Sequence, residues 1–339
     1  MSDADRPDAA AKPHQFHHLP VLLDEVLALL NPQPGQRFLD CTLGLGGHAA
    51  AVADRIGSNG RLTGVDRDPV ALARALELMK ARAQPPALKL LHGSFADLPK
   101  LAGCPPPAFD LILADFGVSS LQFDDPARGF SFRHDAPLDM RMDSTAPIPT
   151  AAELLAELPE ADLAQIFFEF GEERKSRPLA AAIARERTRR PIATTGALAD
   201  LCSRVLHRGR PGGGGRGGGR GGGGERIHPA TRVFQALRIA VNGELTAIDR
   251  LLDAIPDLLA PGGRAAFLSF HSLEDRKVKE RFKIWRQAGR CTVETPKPIQ
   301  AAPSETVRNP RSRSAKLRGL SGWTNGAFAD PPISPPHRR

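Results

Sequence analysis

The stretch FLDCTLGLGGHAAAVAD, residues 38–54, constrains the fold of this chain more than any other. A short apolar run closes on an acid, Asp40, passes through glycines at 44, 46 and 47, and enters an alanine-rich helical pattern. A buried strand that turns through glycine into a helix is the opening βα unit of a parallel sheet. The pattern then repeats. Residues 60–68 read as a second strand ending in acids, and 69–82 as a helix with Pro69 in its first turn. Residues 87–95 form a third strand, and 109–120 a fourth that is apolar until Asp115. From about 137 to 228 the alternation stops and helical text takes over, ending in the Gly/Arg-rich run 208–226. Two more helices, a fifth strand at 262–272, a basic helix at 273–285 and a closing strand within 309–320 complete the pattern. The expected organisation is a disordered tail (1–16), an α/β domain in two parts (17–136 and 229–320), an inserted helical subdomain (137–228) and a loose C-terminal tail (321–339).

The glycine turn also bears on what the sheet binds. A dinucleotide site would show GxGxxG opening its helix, whereas here His48 and Ala49 stand where a third glycine would fall. The order is D-x-x-x-G-x-G-G, with the acid first, and this form favours S-adenosylmethionine over a dinucleotide. In that reading Asp40 lies near the cofactor's ammonium, and Asp66, ending the second strand, accepts hydrogen bonds from the ribose hydroxyls. A tight strand–helix turn without a ligand is the plainer alternative.

Charge is divided unevenly along the chain. Residues 1–169 carry 14 Lys and Arg against 23 Asp and Glu, and residues 170–339 carry 32 against 15. A basic half of this kind suits a polyanion such as nucleic acid, because Lys and Arg clusters displace counterions from phosphates. Three basic stretches carry the expectation. The helix DRKVKERFK sets Arg276, Lys279 and Lys283 on one face. The run RNPRSRSAKLR adds Arg311, Arg313, Lys316 and Arg318. The loop 208–226 is either an RNA-binding segment or a plain linker. The four cysteines are scattered without a CxxC pair, which points to reduced thiols in a cytoplasmic setting and to no metal-ligand cluster. An acidic, proline-containing N-terminus is unlike a signal peptide, and no apolar run is long enough for a membrane span.

Eight blocks then decide among these readings. HLPVLLDEVLALL (18–30), DCTLGLGGH (40–48), GVDRDPVALA (64–73), DFGVSSLQFDDPARGFSFRHDAPLDMRMD (115–143), GEERKSRPLAAAI (171–183), HPATRVFQALRIAVNGEL (228–245), FLSFHSLEDRKVK (267–279) and NPRSRSAKLR (309–318) occur in that order. Together they resemble the bacterial small-subunit ribosomal RNA cytosine-N4 methyltransferases, the MraW or RsmH family, over roughly residues 17 to 320. The resemblance implies a class I S-adenosylmethionine-dependent methyltransferase, an α/β fold with a Rossmann-like, mostly parallel sheet and an inserted helical subdomain. It places cofactor contacts at Gly46, Gly47, His48, Asp66, Phe95, Asp115 and Gln122. It implies a cytosine of the decoding centre as target, in the assembled small subunit, with a homodimer as a further expectation.

For the chemistry, Asp115 is the expected acceptor for the amine N–H, with SFHS (269–272) and its His271 as a second wall. Ser272 is the expected helix cap, which would leave His271 free. Cys104, beside Pro105, lies in the wrong place for a C5-methylating thiolate, and the Asp/Asn-Pro-Pro-aromatic motif of DNA amino-methyltransferases is absent. A DNA methyltransferase and a non-catalytic ribosome-assembly factor that binds the cofactor are the rival readings.

Overall fold

The computed structural model describes residues 19–101, 109–207 and 228–324. His18, Cys104, the tail 1–16 and the Gly/Arg loop 208–226 lie outside these described residues. Strands β1 (Arg37–Asp40), β2 (Arg61–Asp66), β3 (Ala87–His92), β4 (Phe109–Asp115), β5 (Leu259–Ser269), β6 (Thr292–Val293) and β7 (Lys316–Ser321) form one sheet in the order β3-β2-β1-β4-β5-β7-β6. The first five run parallel, and β7 pairs antiparallel with both β5 and β6. β4 is buried along nearly its whole length, as a strand covered on both faces requires. One apolar cluster, including Phe38, Val52, Leu62 and Leu113, covers one face of the sheet; a second, including Ile112, Leu251, Phe267 and Trp285, covers the other. This is the Rossmann-like class I architecture expected from the sequence.

β1 lies between β2 and β4, so the chain leaves it first in one direction and later in the other. The loops at the carboxyl ends of β1, β2 and β4 therefore part there and open a crevice, the usual ligand site of open α/β sheets. Local chemistry sets the exits. Asp68 caps the helix Pro69–Lys80 by accepting from the Val70 amide at 3.0 Å, with Pro69 at the first position as expected.

A third cluster, from Phe130 to Val241, forms the core of the helical insert. It includes Val233, Phe234 and Leu237 of the helix Ala230–Asn242, so this core extends past the boundary at 228 drawn from the sequence. Phe130 is buried in this core and Phe132 packs against it, with the Phe132 and Phe234 ring centroids 4.9 Å apart. The start of the C-terminal segment is likewise not loose. Ser321 ends β7, and Trp323 is fully buried with its ring 5.2 Å from that of Trp285. No described helix is long and apolar enough to cross a membrane.

Candidate active site

The turn after β1 is built around two acids. Asp40 is 2% exposed and accepts the Thr42 amide at 3.0 Å; burial, then the nearby Asp66, push its carboxyl up to about 7 against that hydrogen bond. Asp40 does not line the cavity described below, and it holds the turn through the Thr42 amide. Asp66 accepts the Gly44 amide at 2.6 Å and the Asp68 amide at 2.8 Å. Burial nevertheless holds its carboxyl above the ordinary range. Gly46 is left-handed (φ 79°) and caps the helix Gly47–Ile56 without a side chain. A Cβ on Gly47 would sit 2.7 Å from Pro20 Cγ, so the N-terminal segment presses directly on the glycine turn. Gly47 and His48, which open this helix, line the cavity described below, where a helix N-terminus suits an anion.

These loops open onto a cavity of about 310 Å³, within the range of small-molecule sites. Every expected cofactor residue except Gly46 lines it, and the chain neighbours of Gly46, Leu45 and Gly47, do so too. Asp115 stands in the cavity wall at the end of β4, its side chain 26% exposed while its Oδ1 is buried without a hydrogen-bond partner. Burial, with Asp40 and Glu274 nearby, pushes its carboxyl up to about 8. His48 Nε2 lies 2.9 Å from the Val21 carbonyl, which can only accept. Nε2 therefore donates to that carbonyl, and Nδ1 faces Asp115 Oδ2 at 3.6 Å. Cys41 also lines the cavity, but burial, then Asp40, raise its thiol well above the ordinary value.

Of the expected SFHS wall, Phe270 lines the cavity and His271 does not, and further lining comes from Arg238, Glu244 and Glu274, which sequence reasoning did not assign. Arg238 donates from Nε and Nη2 to the two carboxylate oxygens of Glu244, both at 2.8 Å, and its Nη2 lies 3.8 Å from Glu274 Oε1. Burial works to raise the Glu274 carboxyl, but His271 and Arg238 outweigh it and hold it below the usual range. Glu274 Oε2 accepts the Phe270 amide at 2.7 Å. His271, not Ser272, caps the helix Ser272–Gln287, because Ser272 is already helical and its hydroxyl donates to Glu172 at 3.1 Å. His271 is therefore engaged rather than free. Its Nδ1 accepts the Glu274 amide at 3.4 Å, and its Nε2 lies 3.0 Å from Glu274 Oε1 outside hydrogen-bonding alignment. Glu244, His271 and Glu274 bring ligand atoms within 4.8 Å of one another, a grouping the scattered sequence positions concealed. The positive charge beside both carboxylates is already the Arg238 guanidinium.

Gln122 is committed to the framework. Its Nε2 donates to Asp68 at 3.2 Å and to the Met142 carbonyl at 3.3 Å, and its Oε1 accepts the Ser119 amide at 3.1 Å. Arg128 adds a 2.8 Å bond to Asp68 and donates to the carbonyls of Arg141 and Met142. The RGFSF…PLDMRMD loop is thereby fastened to the cap of the helix after β2, so Gln122 shapes the cavity with no amide group left over. Phe95 lies 5.9 Å from Phe116 and presents its ring beside Arg67.

The basic residues separate into two groups. Arg318 is 5% exposed within β7 and bonded to Asp275 at 2.6 and 3.3 Å, and Lys316 lies 3.5 Å from the same carboxylate. Strand alternation turns both toward Asp275, so Arg318 leaves the set of phosphate contacts expected from the sequence. Lys279, Lys283 and Arg313 are exposed; Arg276 is exposed and pairs with Glu172 at 3.5 Å. Arg311 reaches Asp124 at 2.8 Å beside the Phe123 ring and lines the cavity. Two substitutions separate these roles. Arg318→Ala is expected to cost roughly 1–3 kcal/mol of stability in a denaturant titration, because it leaves the Asp275 carboxylate with Lys316 alone. Lys283→Ala should leave stability within about 0.5 kcal/mol and lower the salt dependence of RNA binding by roughly one phosphate contact.

The residues fit S-adenosylmethionine. The Gly47–Ile56 helix amides suit its carboxylate, Asp66 its ribose, Phe95 its adenine, and the unpartnered Asp115 Oδ1 marks a polar position that the protein itself does not satisfy. A family model described as the MraW methylase family matches residues 15–321. The chain belongs to that family. It is 46% identical over 306 residues to the ribosomal RNA small subunit methyltransferase H of Acidobacterium capsulatum, covering 89% of this chain and 97% of that protein. The enzyme of the same name from Rippkaea orientalis is 47% identical over 305 residues, covering 89% of this chain and 91% of its own. As an MraW methylase, the protein uses S-adenosylmethionine as cofactor.

Proposed function

We propose that this MraW-family protein methylates the exocyclic N4 amine of a cytosine in the decoding centre of small-subunit ribosomal RNA, acting on the assembled subunit. The observation that carries the chemistry is Asp115, a carboxyl raised to about 8 in the wall of the cofactor cavity with one oxygen unpartnered. The names of the relatives and the basic second half of the chain support ribosomal RNA as acceptor.

S-adenosylmethionine supplies an activated methyl group. The chain must align the amine and receive its proton, because the cytosine amine's lone pair is delocalised into the ring and is weakly nucleophilic. Asp115 accepts the amine N–H and takes the proton as the N–CH₃ bond forms. A base whose value lies near the working pH is suited to this. His271 acts as a positioning residue through Glu274. The Cys41 thiol, raised by burial and Asp40, is a poor nucleophile, so addition to the pyrimidine ring is disfavoured. Lys279, Lys283, Arg276, Arg313 and Arg311 contact phosphates.

The base form of Asp115 grows as pH rises through about 8. The value of kcat/KM for the RNA is therefore expected to climb with pH and level off above that midpoint, in a profile measured from pH 6 to 10. A flat profile would remove Asp115 as base. The acceptor is tested by offering labelled cofactor with small subunits lacking the modification, naked RNA or duplex DNA. Label on subunits alone supports the reading, label on DNA replaces it with a DNA enzyme, and cofactor binding without label on any acceptor leaves an assembly factor.

A further inference from the structure

The geometry points to Arg238 as the residue that reads the target base, donating from its Nη1 group to the ring N3 of cytosine; this rests on the cytosine-N4 reading above. Arg238 belongs to the helix Ala230–Asn242, whose apolar side packs in the core of the insert, yet its guanidinium lines the same cavity as Asp115. Nε and Nη2 are spent on Glu244, both at 2.8 Å, and Glu274 lies 3.8 Å from Nη2. Nη1, with two N–H groups, has no hydrogen bond to any described residue. It is not among the buried unpaired side-chain atoms, and Arg238 lines the cavity.

Two carboxylates around one guanidinium fix both its charge and its orientation. Bidentate pairing with Glu244 prevents rotation of the fork, so the free donors point one way before any ligand arrives. Glu274 links this group to the reacting side. Its charge acts on Asp115, and its Oε1 neighbours Arg238. One cavity is thus lined by an acceptor, Asp115, and by a guanidinium of fixed orientation.

The Watson–Crick edge of cytosine matches that order. It presents an amine donor at N4, then acceptors at N3 and O2. Uracil presents an acceptor at O4 and a donor at N3, so its O4 would face the Asp115 carboxylate and its N3–H the guanidinium. A site built of polar groups rejects a base that leaves them unpaired far more strongly than an apolar slot does.

The test is a cycle between enzyme and substrate. Small subunits are reconstituted with RNA carrying cytidine or 3-deazacytidine at the target, the latter keeping the amine and losing the N3 acceptor. Wild-type enzyme is expected to lose roughly 10- to 100-fold in kcat/KM on the deaza substrate. In Arg238→Gln and Arg238→Lys the same replacement should cost under about threefold, because the contact is already gone. Calorimetric binding of S-adenosylmethionine within about threefold of wild type shows that a variant keeps its fold and cofactor site. An equal deaza penalty in wild type and variants makes Arg238 a structural clamp and overturns the proposal. A wild-type penalty under about threefold overturns it without reference to any variant. Failure of the wild type on the cytidine subunit would instead bring down the cytosine-N4 reading itself.

Discussion

Asp115→Asn is expected to lower methyl transfer by at least about 10³-fold while making the unliganded protein more stable at pH 8. Both effects have one source. Burial, together with the negative charges of Asp40 and Glu274, pushes the carboxyl up to about 8, far above its value in an unfolded chain. The folded protein therefore holds more protons than the unfolded one between roughly pH 4 and 8, and stability falls as pH rises through that window. The neutral amide carries no such penalty. Its advantage should be absent near pH 4, grow toward pH 8, and be on the order of 2 kcal/mol there, visible as a rise of several degrees in Tm. A variant that loses activity with no pH-dependent gain in Tm would show that the carboxylate is not stored in an unfavourable state.

Asp66→Ala is expected to weaken S-adenosylmethionine binding by about 100-fold or more, measured by calorimetry. The carboxylate has two tasks. It accepts the amides of Gly44 and Asp68, which fixes the glycine turn against the second strand, and it faces the cavity where the ribose is placed. Alanine leaves two amides unpaired and removes the ribose acceptor, so losses of roughly 1–3 kcal/mol from each source combine. Asp66→Asn keeps one acceptor oxygen and should fall between wild type and alanine. Equal binding by all three proteins would exclude Asp66 from the cofactor site.

Much of this site is written locally in the sequence. The turn D-x-x-x-G-x-G-G, the acid ending β2 and the acid ending β4 each sit where a short-range pattern changes period, and the parallel order of the strands then gathers them at one edge. Asp68 and Pro69 declare a helix start within two residues. The opposite wall is not local. Arg238 and Glu244 flank a helix break at Gly243 (φ 59°), and their third partner, Glu274, arrives from beyond β5. Arg238 also sits in a helix whose apolar pattern serves the core of the insert, which masks its one inward guanidinium.

Two other differences follow from competition between neighbours. Ser272 is the better cap by residue type, yet Glu274 reaches back to the amides of Phe270 and His271 and closes a capping box one residue earlier. Arg318 reads as one of a basic run, but its place in a strand turns it inward to the carboxylate of Asp275. The run RNPRSRSAKLR thus divides between cavity mouth, surface and core, a division that composition cannot express.

The most direct measurement transfers labelled methyl groups to small ribosomal subunits lacking the modification, digests the RNA and identifies the labelled nucleoside. The account predicts a single labelled product, N4-methylcytidine, formed by wild-type protein and lost with Asp115→Asn. Label in 5-methylcytidine, in another base, or undiminished in Asp115→Asn would contradict it.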